Sequence, residues 1–133
     1  MITISKSYSF DSAHQLWDDV QPPEWNHNIF GKCAREHGHT YTLEVEVTGD
    51  IDPVSGMILN YFLLDMVVKP IVERLDHHNL NDIFAPALTT AENMVGIIAS
   101  WVQLELGARY DDIFVRKVTL QETPKTKAVW HNA

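Results

Sequence analysis

From Tyr41 to Thr48 the chain alternates without a break: Tyr41, Leu43, Val45 and Val47 are interleaved with Thr42, Glu44, Glu46 and Thr48. A period of two puts every apolar side chain on one face of an extended strand and every polar one on the other. The segment therefore predicts a half-buried antiparallel strand. Ile2, Ile4, Tyr8 and Phe10 alternate with small polar residues and predict a second. A sheet with one apolar face needs a cover for that face.

The cover is legible downstream. Leu64, Val67, Val68, Ile71 and Leu75 recur at helical spacing and predict a helix from about Phe62 to Leu75, with Pro70 expected to kink it or mark a broken turn. Thr89 and Glu92 have the spacing of a capping box and predict a second helix, with Met94, Ile97, Ile98 and Trp101 on one stripe and Gly107 at its end. Gly49 to Gly56 reads as a turn and Met57 to Tyr61 as a short strand. Ile113 to Glu122 and Lys127 to Trp130 read as a closing pair around Thr123-Pro124. The order predicts an α+β fold, a four-stranded antiparallel sheet with two helices on one face. The length of 133 residues predicts a single domain over 1–133. Residues 16–39, with Pro22-Pro23 and scattered polar side chains, read as a long irregular loop, which in a small domain is usually functional.

Ten Lys and Arg against eighteen Asp and Glu give a formal charge of -8, which opposes binding to a phosphate polymer; nucleic acid is not an expected partner. No apolar run approaches the length needed to span a bilayer, so no membrane partner is expected either. A lone cysteine, Cys33, and a start without a basic head and apolar run favour a reducing cytoplasm.

The residues that can carry chemistry cluster around the strand starts. His37 and His39, at i and i+2 on a strand, direct two imidazoles to one side, and His14, at the end of the first strand, adds a third if the strands pair. Three neutral histidines with an open position are the composition of a catalytic zinc site, although paired surface histidines share the spacing. Cys33 lies between Lys32 and Arg35, cationic neighbours that favour a reactive thiolate, against the commoner fate of a buried, inert thiol. Asp76 beside His77 and His78 is a carboxylate that can orient an imidazole for acid–base work, or the end of a helix. Glu122, Lys125 and Lys127 read on their own as solvated residues.

Taken together, Phe10-Asp11-Ser12-Ala13-His14, Gly31-Lys32-Cys33 with His37-Gly38-His39, Gly56-Met57-Ile58, Leu75-Asp76-His77 with Leu80-Asn81, Thr90-Ala91-Glu92-Asn93 and Glu122-Thr123 resemble the family of 6-pyruvoyl- and 6-carboxytetrahydropterin synthases. The resemblance implies a T-fold (tunnelling fold). It implies Zn2+ on His14, His37 and His39, with Cys33, Asp76 and His77 catalytic and Glu122, Thr90 and Glu92 binding a pterin triphosphate, 7,8-dihydroneopterin triphosphate. It also implies a homo-oligomer, a hexamer made as a dimer of trimers, whose sites lie between subunits so that Asp76 and His77 serve a neighbour's zinc. Three residues between Cys33 and His37 resemble the 6-carboxy branch, which releases acetaldehyde and triphosphate in queuosine synthesis. The insertion from Trp25 to Phe30 resembles the 6-pyruvoyl branch. The expectation leans to the 6-carboxy reaction. The chain departs from the family pattern at Asn60-Tyr61, usually Asp-Phe, and at Thr89, usually proline.

Overall fold

The computed structural model describes all 133 residues. Strands β1 (Thr3–His14), β2 (His37–Gly49), β3 (Ile113–Thr123) and β4 (Thr126–His131) form one antiparallel sheet in that order. Helices α1 (Pro23–Phe30), α2 (Tyr61–Leu75), α3 (Leu80–Phe84) and α4 (Ala91–Arg109) complete the chain. No helix is long and apolar enough to cross a membrane.

The alternation in the sequence becomes the core. Tyr8, Phe10, Tyr41, Leu43, Val45 and Val47 face inward, and Leu64, Val68 and Leu75 of α2 with Met94, Ile98 and Leu106 of α4 close over them. Each buried leucine or valine contributes on the order of 2 kcal/mol, so a charged residue at Val45 or Leu64 would be incompatible with the fold. The helix α2 packs on β1, α4 packs on β3 and β4, and the two helices touch.

Register decides which polar residues share the inward face. His14 pairs with His37, Ser12 with His39 and Phe10 with Tyr41, so the inward row continues from aromatic core into histidine at the sheet's end. Along β3 the inward set begins with Ile113 and Val115, which by simple alternation would place Gln121 inside. A bulge intervenes: Val115 pairs with Val47 and Lys117 with Glu46, leaving Arg116 as the extra residue. The inward set thereby switches to Val118, Leu120 and Glu122.

Several local expectations are corrected. Residues 23–30, expected to be irregular, are helical: Pro23 occupies a first-turn position, where its missing N–H costs nothing. Asn26, fully buried, ties the preceding loop by accepting from Asp18 N and donating to the carbonyls of Asp18, Gln21 and Pro22. A 3-10 turn, Gly31–Ala34, follows directly and carries Cys33, with Gly31 at φ 57, a left-handed value that glycine adopts freely. Residues 57–61 are not a strand; a turn closes there through Asp52 N to Met57 O, and Asn60 caps α2 by accepting from Phe62 N. The helix α2 continues through Pro70 to Leu75. The cap of α4 is Thr90, accepting from Asn93 N, rather than Thr89, and α4 runs past Gly107 to Arg109.

Candidate metal and pterin site

His14, His37 and His39 present ligand nitrogens that all lie within 4.8 Å of one another. Their orientation is fixed from behind. His14 Nδ1 lies 2.9 Å from Thr89 O and 3.2 Å from Thr89 Oγ1, and His37 Nδ1 lies 2.7 Å from Arg35 O. A carbonyl can only accept, so in both rings Nδ1 carries the proton and Nε2 keeps a free lone pair. His14 Nε2 is buried and has no hydrogen-bond partner. An orphaned buried nitrogen is costly unless something absent from the protein chain satisfies it, and a metal ion on three imidazoles fits.

The electrostatics agree with that fit. Burial, reinforced by the charge of His37, pulls the His14 pKa from 6.5 to about 4, and burial lowers that of His39. Both rings are neutral near pH 7, the form a metal requires. Glu122 Oε2 sits 3.5 Å from His14 Nε2 and 3.6 Å from His39 Nε2, and with neutral imidazoles these contacts are not ion pairs. Burial first, then the negative charge of Glu92, raises the Glu122 carboxyl. Tyr41, fully buried beside His14 and His39, has a phenol without a partner, raised by burial and by the Glu122 charge.

The cluster opens into a cavity of about 620 Å³ that also holds Cys33, Lys32, Arg35, Glu36, Glu122 and Thr126. Cys33 is half-buried and borders this space, so the inert-core reading of the thiol does not apply. Lys125 and Lys127 are plain surface residues.

The pair Asp76 and His77 lies elsewhere. Asp76 is the C-terminal cap of α2; its carboxylate accepts from Asp11 N at 2.9 Å and lies 2.9 Å from His77 Nδ1. Asp76 thus ends the helix and also contacts the His77 imidazole. His77 adopts φ 57 with its N–H on Asp11 O, and its side chain is 79% exposed. The Asp76 carboxylate raises the His77 pKa. His77 borders a second cleft, with Asp11, Gly38 and Thr40, that adjoins the Cys33 cavity at Glu36 and His39. Within one chain the structure does not bring His77 into the Cys33 cavity. Thr90 and Glu92 do not line that cavity either: Thr90 is occupied as a helix cap, and the charge of Glu92 is felt at Glu122.

Sequence reasoning missed Thr89, Arg35 O, Glu36 and Tyr41. For Tyr41 a signal existed, since it continues the i, i+2 row of His37 and His39; the carbonyl partners of the histidines have no sequence signature.

The profile of the 6-pyruvoyl tetrahydropterin synthase family matches residues 3–133. The 6-pyruvoyl tetrahydrobiopterin synthase of Pongo abelii is 36% identical over 135 residues, covering 96% of this chain and 89% of the relative. That of Dictyostelium discoideum is 36% identical over 107 residues, covering 77% and 78%. The solved structure of Caenorhabditis elegans 6-pyruvoyl tetrahydropterin synthase superposes with a TM-score of 0.89 at 27% identity, over 99% of this chain and 96% of that one. Profile, near-full-length relatives and backbone all converge on the T-fold that the resemblance implied, and the chain belongs to the 6-pyruvoyl tetrahydropterin synthase family.

Proposed function

We propose that this protein is a zinc-dependent 6-pyruvoyl-tetrahydropterin synthase, which eliminates triphosphate from 7,8-dihydroneopterin triphosphate and rearranges the side chain. The observation that carries this reading is the convergence of three imidazoles, Cys33 and Glu122 on one cavity. The Cys33-to-His37 spacing leaned toward the 6-carboxy reaction. Relatives matched over nearly their full length carry the 6-pyruvoyl name, and the insertion that resembled that branch is an ordered helix leading into Cys33. Both favour the 6-pyruvoyl reaction.

In this scheme His14, His37 and His39 hold zinc through Nε2. When bound, zinc supplies a Lewis acid that acidifies a side-chain hydroxyl of the substrate. Cys33 carries the side-chain proton, a role suited to a partly exposed thiol flanked by Lys32 and Arg35. The same two cations favour the triphosphate at the cavity mouth. Glu122 accepts from the donor-rich amide and amino edge of the pterin, which also answers its burial. The outward position of Asp76 and His77 supports a hexamer in which this pair completes a neighbour's cavity, with the Asp76 carboxylate keeping His77 ready to donate.

Turnover and binding of 7,8-dihydroneopterin triphosphate by zinc-loaded wild type and Cys33→Ala test the assignment. The expected result is a loss in turnover of about a hundredfold or more with nearly unchanged affinity. Unchanged turnover would remove Cys33 from the chemistry.

A further inference from the structure

Cys33 has no side-chain hydrogen bond to hold it; its place depends on the main chain of a four-residue 3-10 turn. Two consecutive carbonyls of that turn are held by two consecutive residues just past β1. Leu16 N donates to Cys33 O at 2.9 Å, and Gln15 Nε2 donates to Ala34 O at 2.7 Å. Gln15 directly follows the ligand His14.

Gln15 is itself clamped. Its N–H donates to Asn81 Oδ1 at 2.8 Å and its carbonyl accepts from Asn81 Nδ2 at 2.7 Å, so one carboxamide does what a neighbouring strand would do. Thr89 Oγ1, which also contacts His14, donates to the same carbonyl at 3.4 Å. Upstream, the free edge of β1 is taken in the same way: Asp76 and His77 bind Asp11, and His78 O accepts from Ala13 N. Residues 76–81 therefore form a strap along the end of β1, and its last hold is on Gln15. Leu80-Asn81, like Gly56-Met57-Ile58, is a matched sequence segment for which the resemblance implied no role.

We propose that Gln15 is a positioning residue that sets Cys33 against the histidine cluster: backbone fixed by Asn81 beside His14, side chain fixing the Cys33 turn. Its effect on turnover rests on the reading of Cys33 as the proton carrier; its effect on the thiol does not.

The test uses the full-length zinc-loaded protein and Gln15→Leu, which keeps the backbone clamp and removes the donor. Four quantities are compared: alkylation rate of Cys33 by iodoacetamide, zinc affinity by chelator competition, kcat and KM. The expected result is alkylation about fivefold faster as the turn loosens, zinc affinity and KM within about threefold of wild type, and kcat lower by about tenfold, a misplacement effect. Gln15→Lys, which restores a long N–H donor, should recover most of both, whereas Gln15→Glu, with no donor at neutral pH, should not. That contrast decides the matter if Gln15→Leu fails to fold. Alkylation and kcat both within twofold of wild type in Gln15→Leu, or equal behaviour of the Lys and Glu variants, would overturn the proposal. So would zinc lost in step with activity, which is the pattern of general damage. If the wild type itself does not turn over the pterin, the proposed reaction fails and alkylation alone decides the role of Gln15.

Discussion

The Nδ1 atom of His14 lies 2.9 Å from the carbonyl oxygen and 3.2 Å from the hydroxyl of Thr89. The hydroxyl is thus a second acceptor behind a proposed metal ligand. Outer-shell partners of this kind typically tune metal affinity by ten- to hundredfold. Because the carbonyl remains, Thr89→Val should fall at the low end, with zinc bound about tenfold more weakly in a chelator titration and the ratio of one zinc per chain preserved at saturation. Unchanged affinity would mean that the carbonyl alone orients His14.

Acid should weaken the metal-free protein in a defined window. The folded pKa of His14 is depressed from 6.5 to about 4. Between those values the unfolded chain takes up a proton that the folded chain refuses, so stability falls as pH drops from 6.5 toward 4. The full shift corresponds to roughly 3 kcal/mol. The lowered pKa values of Asp65 and Asp76 act in the same direction, but only below the usual carboxylate range. Urea melts of the apoprotein at pH 7, 6, 5 and 4 check this, and His14→Gln should flatten the 6.5-to-4 limb. The raised Glu122 carboxyl opposes this limb in part and the lowered His39 adds to it, so an equal slope in His14→Gln and wild type is the result that would contradict a buried, neutral His14.

The proposed function has Glu122 read substrate rather than hold metal. Its nearest oxygen is 3.5 Å from His14 Nε2 and 3.6 Å from His39 Nε2, a spacing that two donors on one metal ion also have, so distance alone does not separate the two roles. Under that role Glu122→Gln should retain a full complement of zinc while weakening pterin binding by about tenfold or more, the loss of a charge-assisted pair. Calorimetric titration with the pterin, alongside elemental analysis, separates the two roles; loss of zinc in Glu122→Gln would make it a ligand.

If Asp76 and His77 complete a neighbour's cavity, two inactive variants should repair each other. Cys33→Ala and His77→Ala, unfolded together and refolded as a mixture, should regain activity in the mixed oligomers, because some cavities then receive an intact thiol from one chain and an intact imidazole from the next. Each variant refolded alone should stay inactive. A mixture no more active than its parts would place both residues in the same chain's site.

How much of this was legible in the sequence follows from how local each determinant is. The alternation of β2, the same-face pair His37 and His39, and the apolar stripe of α4 are set by residues a few positions apart, and they stand as read. The pairing of His14 with His37 and the switch that turns Glu122 inward depend on strand register and on the bulge at Arg116, which no local pattern encodes. Pro22-Pro23 was read as a breaker because proline is one inside a helix, yet Pro23 starts α1. The five-residue α3 is too short to show a period. Thr89 and Thr90 are both plausible caps by type. Tertiary structure gives the cap to Thr90 and reserves Thr89 for His14.

The central claim is tested most directly by the mass of the pterin formed when zinc-loaded protein meets 7,8-dihydroneopterin triphosphate. The account predicts inorganic triphosphate and a tetrahydropterin that retains all three side-chain carbons as a 6-pyruvoyl group, with no acetaldehyde released. A 6-carboxy product with acetaldehyde would contradict the proposed reaction while leaving the site in place, and recovery of unchanged substrate would contradict the enzyme.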